Sequence, residues 1–181
     1  GHLTNLKGLA STGEYDSLED YIAKMDGSIS GFELVAQTGN PVTDVIVGDV
    51  QQKCQKQGVE FKVDFHYPMS GSYDAFDVGI ILQNLLQNAV EACGKVSDGK
   101  RFIGLTGKKK GRFFLIEVRN SFAGEVMFGQ DGLPVTTKPD APMHGIGLAN
   151  VRRETEKYMG EMEVSCGKQV FTVTVMLQNI E

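Results

Sequence analysis

The sequence predicts a two-layer α/β sandwich, in which a mixed β-sheet carries helices on one face and a short helical hairpin precedes it. Predicted strands and helices are mixed along the chain, and the strand pairs are adjacent and antiparallel in type. The strongest helix, over residues 76–93, has a wide apolar face that needs a sheet to cover it. The 181 residues, 41% of them hydrophobic, suffice for one packed domain and a small helical appendage.

Periodicity and turn signals place the other elements in order. Apolar residues at helical spacing predict two helices over residues 3–10 and 17–26, which form the hairpin. Proline at the first position and glycine after the last predict a helix over residues 41–57. Strands are predicted over residues 59–65, 101–106, 112–119, 161–165 and 170–177, with a turn over residues 107–111 and a last helix over residues 146–159 that stops at Gly160. We assign residues 1–30 to the hairpin and residues 31–181 to the sandwich.

Composition narrows the classes of function. The net charge of −5 argues against a nucleic-acid-binding surface, because phosphate backbones require a basic patch. No run approaches the roughly 18 consecutive apolar residues that cross a bilayer, so we expect no membrane contact by this stretch of chain. The three cysteines and three histidines are scattered without a CxxC pair. This spacing disfavours a zinc site or a disulfide framework and favours thiols in a reducing cytoplasm.

One stripe of the central helix has an unusual composition. Asn84, Asn88 and Glu91 lie at i, i+4 and i+7, opposite the apolar face. A polar stripe usually meets solvent, but asparagine is a poor interior helix residue because its short amide competes for the backbone. Its amide oxygen is a hard, neutral ligand that suits Mg²⁺. The spacing leaves two interpretations open, a solvated face or a magnesium site formed by Asn84 and Asn88.

A long loop leads to a glycine pair at the start of the last helix. Residues 121–144 show no period and contain three glycines and three prolines. Loops longer than about 12–15 residues are uncommon in compact domains unless they are functional or disordered. We interpret this segment as a nucleotide lid, with a plain surface excursion as the alternative. Gly145 and Gly147 would let a phosphate approach the free N–H groups of the helix start.

Together these segments resemble the GHKL family of ATPases, which gyrase, histidine kinases and the mismatch-repair ATPase share. The run NLLQNAVEA at residues 84–92 looks like the N box of the family, and HGIGLAN at residues 144–150 looks like its second glycine box. The resemblance implies that Asn88 ligates Mg²⁺ and that Asn84 lines the same region. It also implies that the ATP phosphates contact His144, Gly145, Gly147 and Leu148, and that Lys138 reaches the outer phosphates from the lid.

The first glycine box departs from the family pattern. VRNSFAG at residues 118–124 stands in its place. Asn120 replaces the aspartate that recognises adenine, and Phe122 replaces the first glycine, while Gly124 keeps the second. An asparagine carbonyl can still accept from the adenine amino group, with less charge assistance. The departure resembles the peptide-pheromone and quorum-sensing subgroup of sensor histidine kinases.

The resemblance implies a function. The domain would bind ATP with Mg²⁺ and transfer the γ-phosphoryl group to a histidine, from which it would pass to a response regulator. The parent would be a membrane-anchored homodimer with this domain in the cytoplasm. Residues 2–9 and 13–22 are similar to the region after the phosphoacceptor box of this subgroup and of sporulation-type phosphotransferases. The acceptor histidine is therefore expected upstream, and we expect no phosphate to enter His2.

Two alternatives accompany this interpretation. ATP-hydrolysing machines of the gyrase or mismatch-repair type place a glutamate base one turn before the metal asparagine, and Asn84 stands at that position here. A non-catalytic phosphotransferase or dimerisation scaffold would keep the fold and lose the nucleotide. The altered first glycine box keeps this second alternative open.

Overall fold

The computed structural model describes residues 10–11, 36–135 and 146–179. The chain divides into two compact units, Gly1–Leu34 and Val35–Glu181, and the elements below belong to the second. Residues 10 and 11 are helical. The rest of the two predicted hairpin helices and the predicted boundary after residue 30 lie outside the described residues. Within the described part of the chain, no helix is both long enough and apolar enough to cross a bilayer.

The helices begin and end at signals that the sequence carries. They are α1 (Pro41–Gln57), α2 (Ala75–Gly94) and α3 (Ile146–Glu156). Asn40 caps α1 by accepting hydrogen bonds from the first free amides, and Gly58 ends the helix in the left-handed conformation at φ 65°. Asp74 caps α2 in the same way. The predicted helix over residues 41–57 is thus confirmed at both ends.

Five strands form one mixed sheet. They are β1 (Glu60–Phe65), β2 (Phe102–Lys110), β3 (Phe113–Ser121), β4 (Glu161–Gly167) and β5 (Val170–Gln178). Their order across the sheet is β1-β2-β3-β5-β4. β1 and β2 are parallel, and the other neighbours are antiparallel. The sheet therefore combines both kinds of pairing, as the sequence predicts.

The core lies on one face of this sheet. Alternate residues of the central strands point to it and are buried, among them Ile103, Leu105, Ile116, Val118 and Val175. Val47 of α1, Leu82 of α2 and Val151 of α3 belong to the same buried cluster. On the opposite face Arg119 is exposed, because residues next to each other in a strand point to opposite sides. The predicted two-layer sandwich is confirmed.

The predicted turn over residues 107–111 is wrong, because β2 and β3 continue pairing through most of it. Gly107 lies opposite Ile116 in the antiparallel ladder. It is a packing position, since a Cβ there would lie 2.2 Å from Cδ2 of Phe65. The true turn has two residues and begins at Gly111, whose φ of 60° suits the first central position of a type II′ hairpin.

The last helix ends at Glu156 rather than at the predicted Met159. The amides of Met159 and Gly160 donate back to the carbonyls of Glu156 and Thr155, which is the Schellman arrangement. Met159, at φ 46°, takes the left-handed position that usually belongs to glycine. Gly160 follows it because a Cβ there would lie 2.2 Å from the carbonyl oxygen of Met176. Packing against β5 therefore decides where the glycine stands.

A polar cluster ties the start of α2 to the end of α3. The Tyr158 hydroxyl donates to Asp77 at 2.8 Å, and Lys157 Nζ donates to the same carboxylate at 2.9 Å. The hydroxyl also accepts from the Asp74 amide, and Lys157 forms an ion pair with the buried Glu154. Burial opposes ionisation of Asp77, but the hydrogen bonds from Lys157 and Tyr158 outweigh it and lower the pKa of this carboxyl.

We expect Asp77→Asn to destabilise the domain by about 1–2 kcal/mol at neutral pH, because hydrogen bonds to a charged acceptor are lost. A carboxyl whose pKa is lowered by folding stabilises the native state above its unfolded pKa of about 3.9, and this contribution disappears as the pH falls through the folded pKa. Urea unfolding should therefore show a difference between wild type and variant that shrinks on acidification. Asp49→Asn removes an exposed partner of Lys53 and should change stability by less than about 0.5 kcal/mol. A difference that is independent of pH would contradict this role of Asp77.

Candidate functional site

The polar stripe of α2 faces the start of α3. A Cβ added to Gly147 would lie 3.2 Å from Nδ2 of Asn88 and 3.4 Å from Oδ1 of Asn84. Both asparagines are partly buried, so this stripe does not simply face solvent. Glycine at position 147 permits the close approach, because a larger side chain would press against both amides. The structure thus brings together three residues that the sequence predicts for one site.

A hydrogen bond fixes the orientation of the Asn84 amide. Its Nδ2 donates to the carbonyl oxygen of Ile80, one turn earlier, at 2.8 Å. A carbonyl only accepts hydrogen bonds, so the amide nitrogen must be the atom beside it. The amide oxygen of Asn84 is therefore the atom that lies beside Gly147.

Asn84 and Asn88 fit a magnesium ion by their chemistry. Amide oxygens are hard ligands of the kind that Mg²⁺ accepts, and their spacing of one turn places both on one helix face. Neutral amides suit an ion whose charge phosphate oxygens balance. Over residues 36–135 and 146–179, histidine, cysteine and carboxylate side chains form no group of three or more that could hold a metal.

A cavity of about 220 Å³ lies beside Asn88, between α2, β3 and β5. Most of its described walls are apolar, and the polar side chains among them are Asn88, Lys95 and Asn120. The apolar walls include Leu85, Val118, Phe122, Leu148, Phe171 and Val173. An apolar cavity with a few converging polar groups is the usual form of a small-molecule site.

Asn120 presents an acceptor to this cavity. The residue is only 3% exposed, and its Nδ2 donates to the carbonyl oxygen of Ser121 at 3.0 Å. Since that carbonyl only accepts, the assignment of nitrogen and oxygen in the Asn120 amide is fixed. The amide oxygen is left to accept from a ligand that donates from an N–H group.

A buried thiol holds α2 against β3 beneath Asn120. Cys93 Sγ lies 3.3 Å from the hydroxyl oxygen of Ser121 and 3.3 Å from the carbonyl oxygen of Phe102. Burial raises the pKa of the Cys93 thiol, so it stays neutral and packs rather than reacts. The contact fixes the position of Asn88 on α2 relative to Asn120 on β3, across the cavity.

The described part of the predicted lid after β3, residues 122–135, contains bends, turns and one isolated backbone pairing, which agrees with the absence of a period in the sequence. Phe128 and Pro134 form an antiparallel bridge. Arg152 of α3 donates to the carbonyl oxygen of Asp131 at 2.9 Å, which attaches the small turn to the helix. Backbone pairing over so few residues is too short to produce a periodic pattern in the sequence. Pro134 lines the cavity, so this segment forms part of its wall.

The other predicted site residues divide into three groups. Leu148 lines the cavity together with Asn88 and Asn120. Gly124 is exposed at φ 91° and does not line the cavity. Lys138, His144 and Gly145 lie outside the described residues.

Sequence reasoning assigned only Asn88, Asn120 and Leu148 of the cavity wall to the site, and Lys95, Phe171 and Phe122 are among the wall residues that it did not assign. Lys95 carried a signal, because it lies two helical turns after Asn88 on the same face of α2. Phe171 carried none, since only the pairing of β5 with β3 brings it to the cavity, opposite Asn120. Phe122 was considered only as the replacement of a glycine, although its ring meets that of Phe171 edge to face at 6.3 Å.

Fold and site together define the class of protein. An α/β sandwich whose asparagine-bearing helix faces the glycine at the start of the following helix, beside an apolar cavity, is a GHKL domain. The sequence model of the GHKL domain matches residues 73–178, more than half of the chain, and the chain belongs to this family. No curated protein has a sequence that matches this one.

Solved structures of histidine kinases share the fold. The catalytic domain of histidine kinase ThkA is 18% identical, with a TM-score of 0.59 over 79% of this chain and 93% of that one. Histidine kinase AdeS of Acinetobacter baumannii is 12% identical, with a TM-score of 0.56 over 99% and 96%. Full-length ShkA, solved in complex with AMPPNP, is 17% identical, with a TM-score of 0.55 over 75% of this chain and 29% of its own. These likenesses confirm the predicted sandwich of the histidine-kinase ATPase type.

Proposed function

We propose that this domain binds ATP with Mg²⁺ and transfers the γ-phosphoryl group to a histidine of a sensor histidine kinase, from which it passes to a response regulator. One observation carries the proposal. The amides of Asn84 and Asn88 converge on Gly147 beside a cavity that has Asn120 in its wall. Membership of the GHKL family and the fold of histidine kinase catalytic domains support it. So does ShkA, which has this fold and was solved with AMPPNP.

Different residues of the site would bind different parts of the ATP molecule. The cavity would hold the base, and the Asn120 oxygen would accept from the 6-amino group of adenine. The phosphates would lie beside Gly147, where the first N–H groups of α3 have no partner within the helix. Mg²⁺ held by Asn84 and Asn88 would neutralise phosphate charge. The protein then contributes positioning and electrostatic stabilisation, which are the main needs of phosphoryl transfer.

The residue at position 84 favours transfer to histidine over transfer to water. Water needs a base to take its proton, and an amide such as that of Asn84 cannot act as one. A neutral imidazole nitrogen already carries a lone pair and attacks without such help. This difference supports a kinase rather than an ATP-hydrolysing machine.

Finer assignments follow the resemblance. Asn120 and Phe122 support membership of the peptide-pheromone and quorum-sensing subgroup. We assign residues 1–30 to the helical hairpin through which the parent dimerises and residues 31–181 to the ATP-binding domain. In this proposal Lys138, His144 and Gly145 act around the outer phosphates, and the anchoring of the parent in a membrane stays a prediction.

One observation favours a second candidate, a scaffold without nucleotide. The cavity of about 220 Å³ is smaller than the roughly 300–1,000 Å³ of typical ligand pockets, and Phe122 takes up space where the family has a glycine. Calorimetric titration with Mg-ATP separates the two candidates. Saturable binding supports the kinase, and its absence at millimolar ATP supports the scaffold.

Transfer is tested separately from binding. The domain is incubated with γ-labelled ATP and a helical hairpin that carries a phosphoacceptor histidine. We expect label on the histidine, in an acid-labile form, and none on the domain alone. ATP binding without any transfer to the hairpin, and with multiple-turnover hydrolysis, would contradict the kinase assignment in favour of a hydrolase.

Asn120 makes a specific prediction about the base. Inosine triphosphate has a carbonyl in place of the 6-amino group, so wild type should bind ATP about ten- to hundredfold more tightly. Asn120→Leu removes the acceptor and should reduce this preference to less than about threefold. Asn120→Asp keeps an acceptor and should keep the preference. Both nucleotides are titrated by calorimetry, and full discrimination by the leucine variant would exclude this role of Asn120.

A further inference from the structure

Lys95 is an exposed residue at the wall of the cavity, and its side chain carries a positive charge. Among the described residues that line the cavity it is the charged one, and the remaining walls are apolar groups and the amides of Asn88 and Asn120. No acidic side chain stands among these described wall residues. A cavity with one cation in an otherwise neutral wall is suited to a ligand that carries negative charge.

The geometry of α2 places Lys95 on the same side of the helix as the polar stripe of Asn84, Asn88 and Glu91. At 100° per residue, position 95 points between the directions of positions 84 and 88. It lies about 10 Å beyond Asn88 along the helix axis. Lys95 keeps helical backbone angles, at φ −92° and ψ −8°. Helical side chains lean towards the N-terminus of their helix, so we expect the side chain of Lys95, which caps α2 with helical backbone angles, to lean back towards Asn88.

We propose that Lys95 binds the phosphate nearest the ribose of the bound nucleotide. The inference rests on the proposed function, in which the base sits by Asn120 and the outer phosphates by Gly147. Lys95 lines the same cavity as Asn88 and Asn120, and the phosphate nearest the ribose would lie between the base and the outer phosphates. Its ammonium group can donate to a phosphate oxygen there, and its positive charge would add to that of the Mg²⁺ ion that Asn84 and Asn88 would hold.

A purely structural role for Lys95 makes a different prediction. The last turn of α2 has no basic residue, and Lys95, which caps the helix, places its charge near the negative end of the helix dipole. If this were its only role, loss of the charge would lower the thermal midpoint. Loss of the charge would then change the affinities for ligands with and without phosphate to the same extent.

Lys95→Met is tested by calorimetry with adenosine, AMP, ADP and ATP, each compared with wild type. We expect adenosine affinity to change less than about twofold and the affinities of the three phosphorylated ligands to fall about five- to twentyfold, as for loss of a charged hydrogen bond at a partly exposed site. Lys95→Arg should keep most of the affinity for all three. Lys53→Met makes the same charge change on α1, away from the cavity, and should bind every ligand as wild type does.

The outcomes separate this inference from the proposed function. If wild type binds no ATP, the proposed function fails and this inference fails with it. If wild type binds ATP and Lys95→Met binds each of the four ligands as tightly as wild type does, only the inference fails. A loss that is equal for adenosine and ATP, or one that affects ATP but spares AMP, also overturns it. Thermal unfolding of each variant shows that it is folded, and Lys95→Gln replaces the methionine variant if that one is not.

Discussion

Asn88→Ala should lower the affinity for Mg-ATP by about a hundredfold or more, because it removes the proposed Mg²⁺ ligand at the point where α2 and α3 meet. In the structure this amide lies nearest to the position where a Cβ would stand on Gly147. The fold should survive, since the side chain is only partly buried and its removal leaves the apolar face of α2 intact. Calorimetry with Mg-ATP measures the effect.

Removal of the metal provides a second measurement on the same variant. Chelation of Mg²⁺ should weaken ATP binding by wild type and should have little further effect on Asn88→Ala, whose metal site is already lost. Gln83→Ala is the matched control, because it removes an exposed amide from the same helix, outside the stripe. If Asn88→Ala bound Mg-ATP as wild type does, the site assigned here would be wrong.

Gly160→Ala should cost about 3 kcal/mol or more of unfolding free energy, which would lower the thermal midpoint by about 10 °C. The added Cβ would lie 2.2 Å from the carbonyl oxygen of Met176 and 2.9 Å from that of Thr155. Both are backbone atoms, so no rotation of a side chain can relieve the contact. The connection between α3 and β4 would have to move away from β5.

Gly48→Ala is the control for this effect. Gly48 lies within α1, and a Cβ there meets no atom within 4 Å. Alanine in the interior of a helix is more favourable than glycine by about 0.5–1 kcal/mol, so this variant should be slightly more stable than wild type. Urea unfolding of both variants gives the two free energies. Equal stability of Gly160→Ala and wild type would show that the α3–β4 connection can relax.

The two variants also show how far sequence reasoning extends. Gly58 was predicted correctly as the end of α1, because the left-handed residue and the helix it ends are neighbours in the chain. The same rule at Gly160 placed the end of α3 too late, because Met176 of β5, sixteen residues further along the chain, leaves no room for a side chain there. Gly107 misled in a similar way. It suggested a turn, but glycine is needed there because the ring of Phe65 in the neighbouring strand occupies the space of a side chain.

The candidate site also combines features that neighbouring residues determine with features that depend on packing between distant segments. Asn84 and Asn88 could be recognised from the sequence, because residues one turn apart share a helix face whatever surrounds the helix. Their contact with Gly147 could only be expected through the family resemblance, since it depends on how α3 packs against α2. The places of Lys95 and Phe171 in the cavity wall were not predicted at all.

The sequence by itself determined the local structure of this protein: the caps of α1 and α2, the alternation of its strands and the asparagine stripe. These depend on hydrogen bonds and side-chain directions among residues close in the chain. Only the tertiary structure decided that the stripe meets Gly147 and that a cavity forms beside it. That cavity draws its walls from α2, β3, β5 and the segment around Pro134, so it exists only once strand register and helix packing have fixed their relative positions.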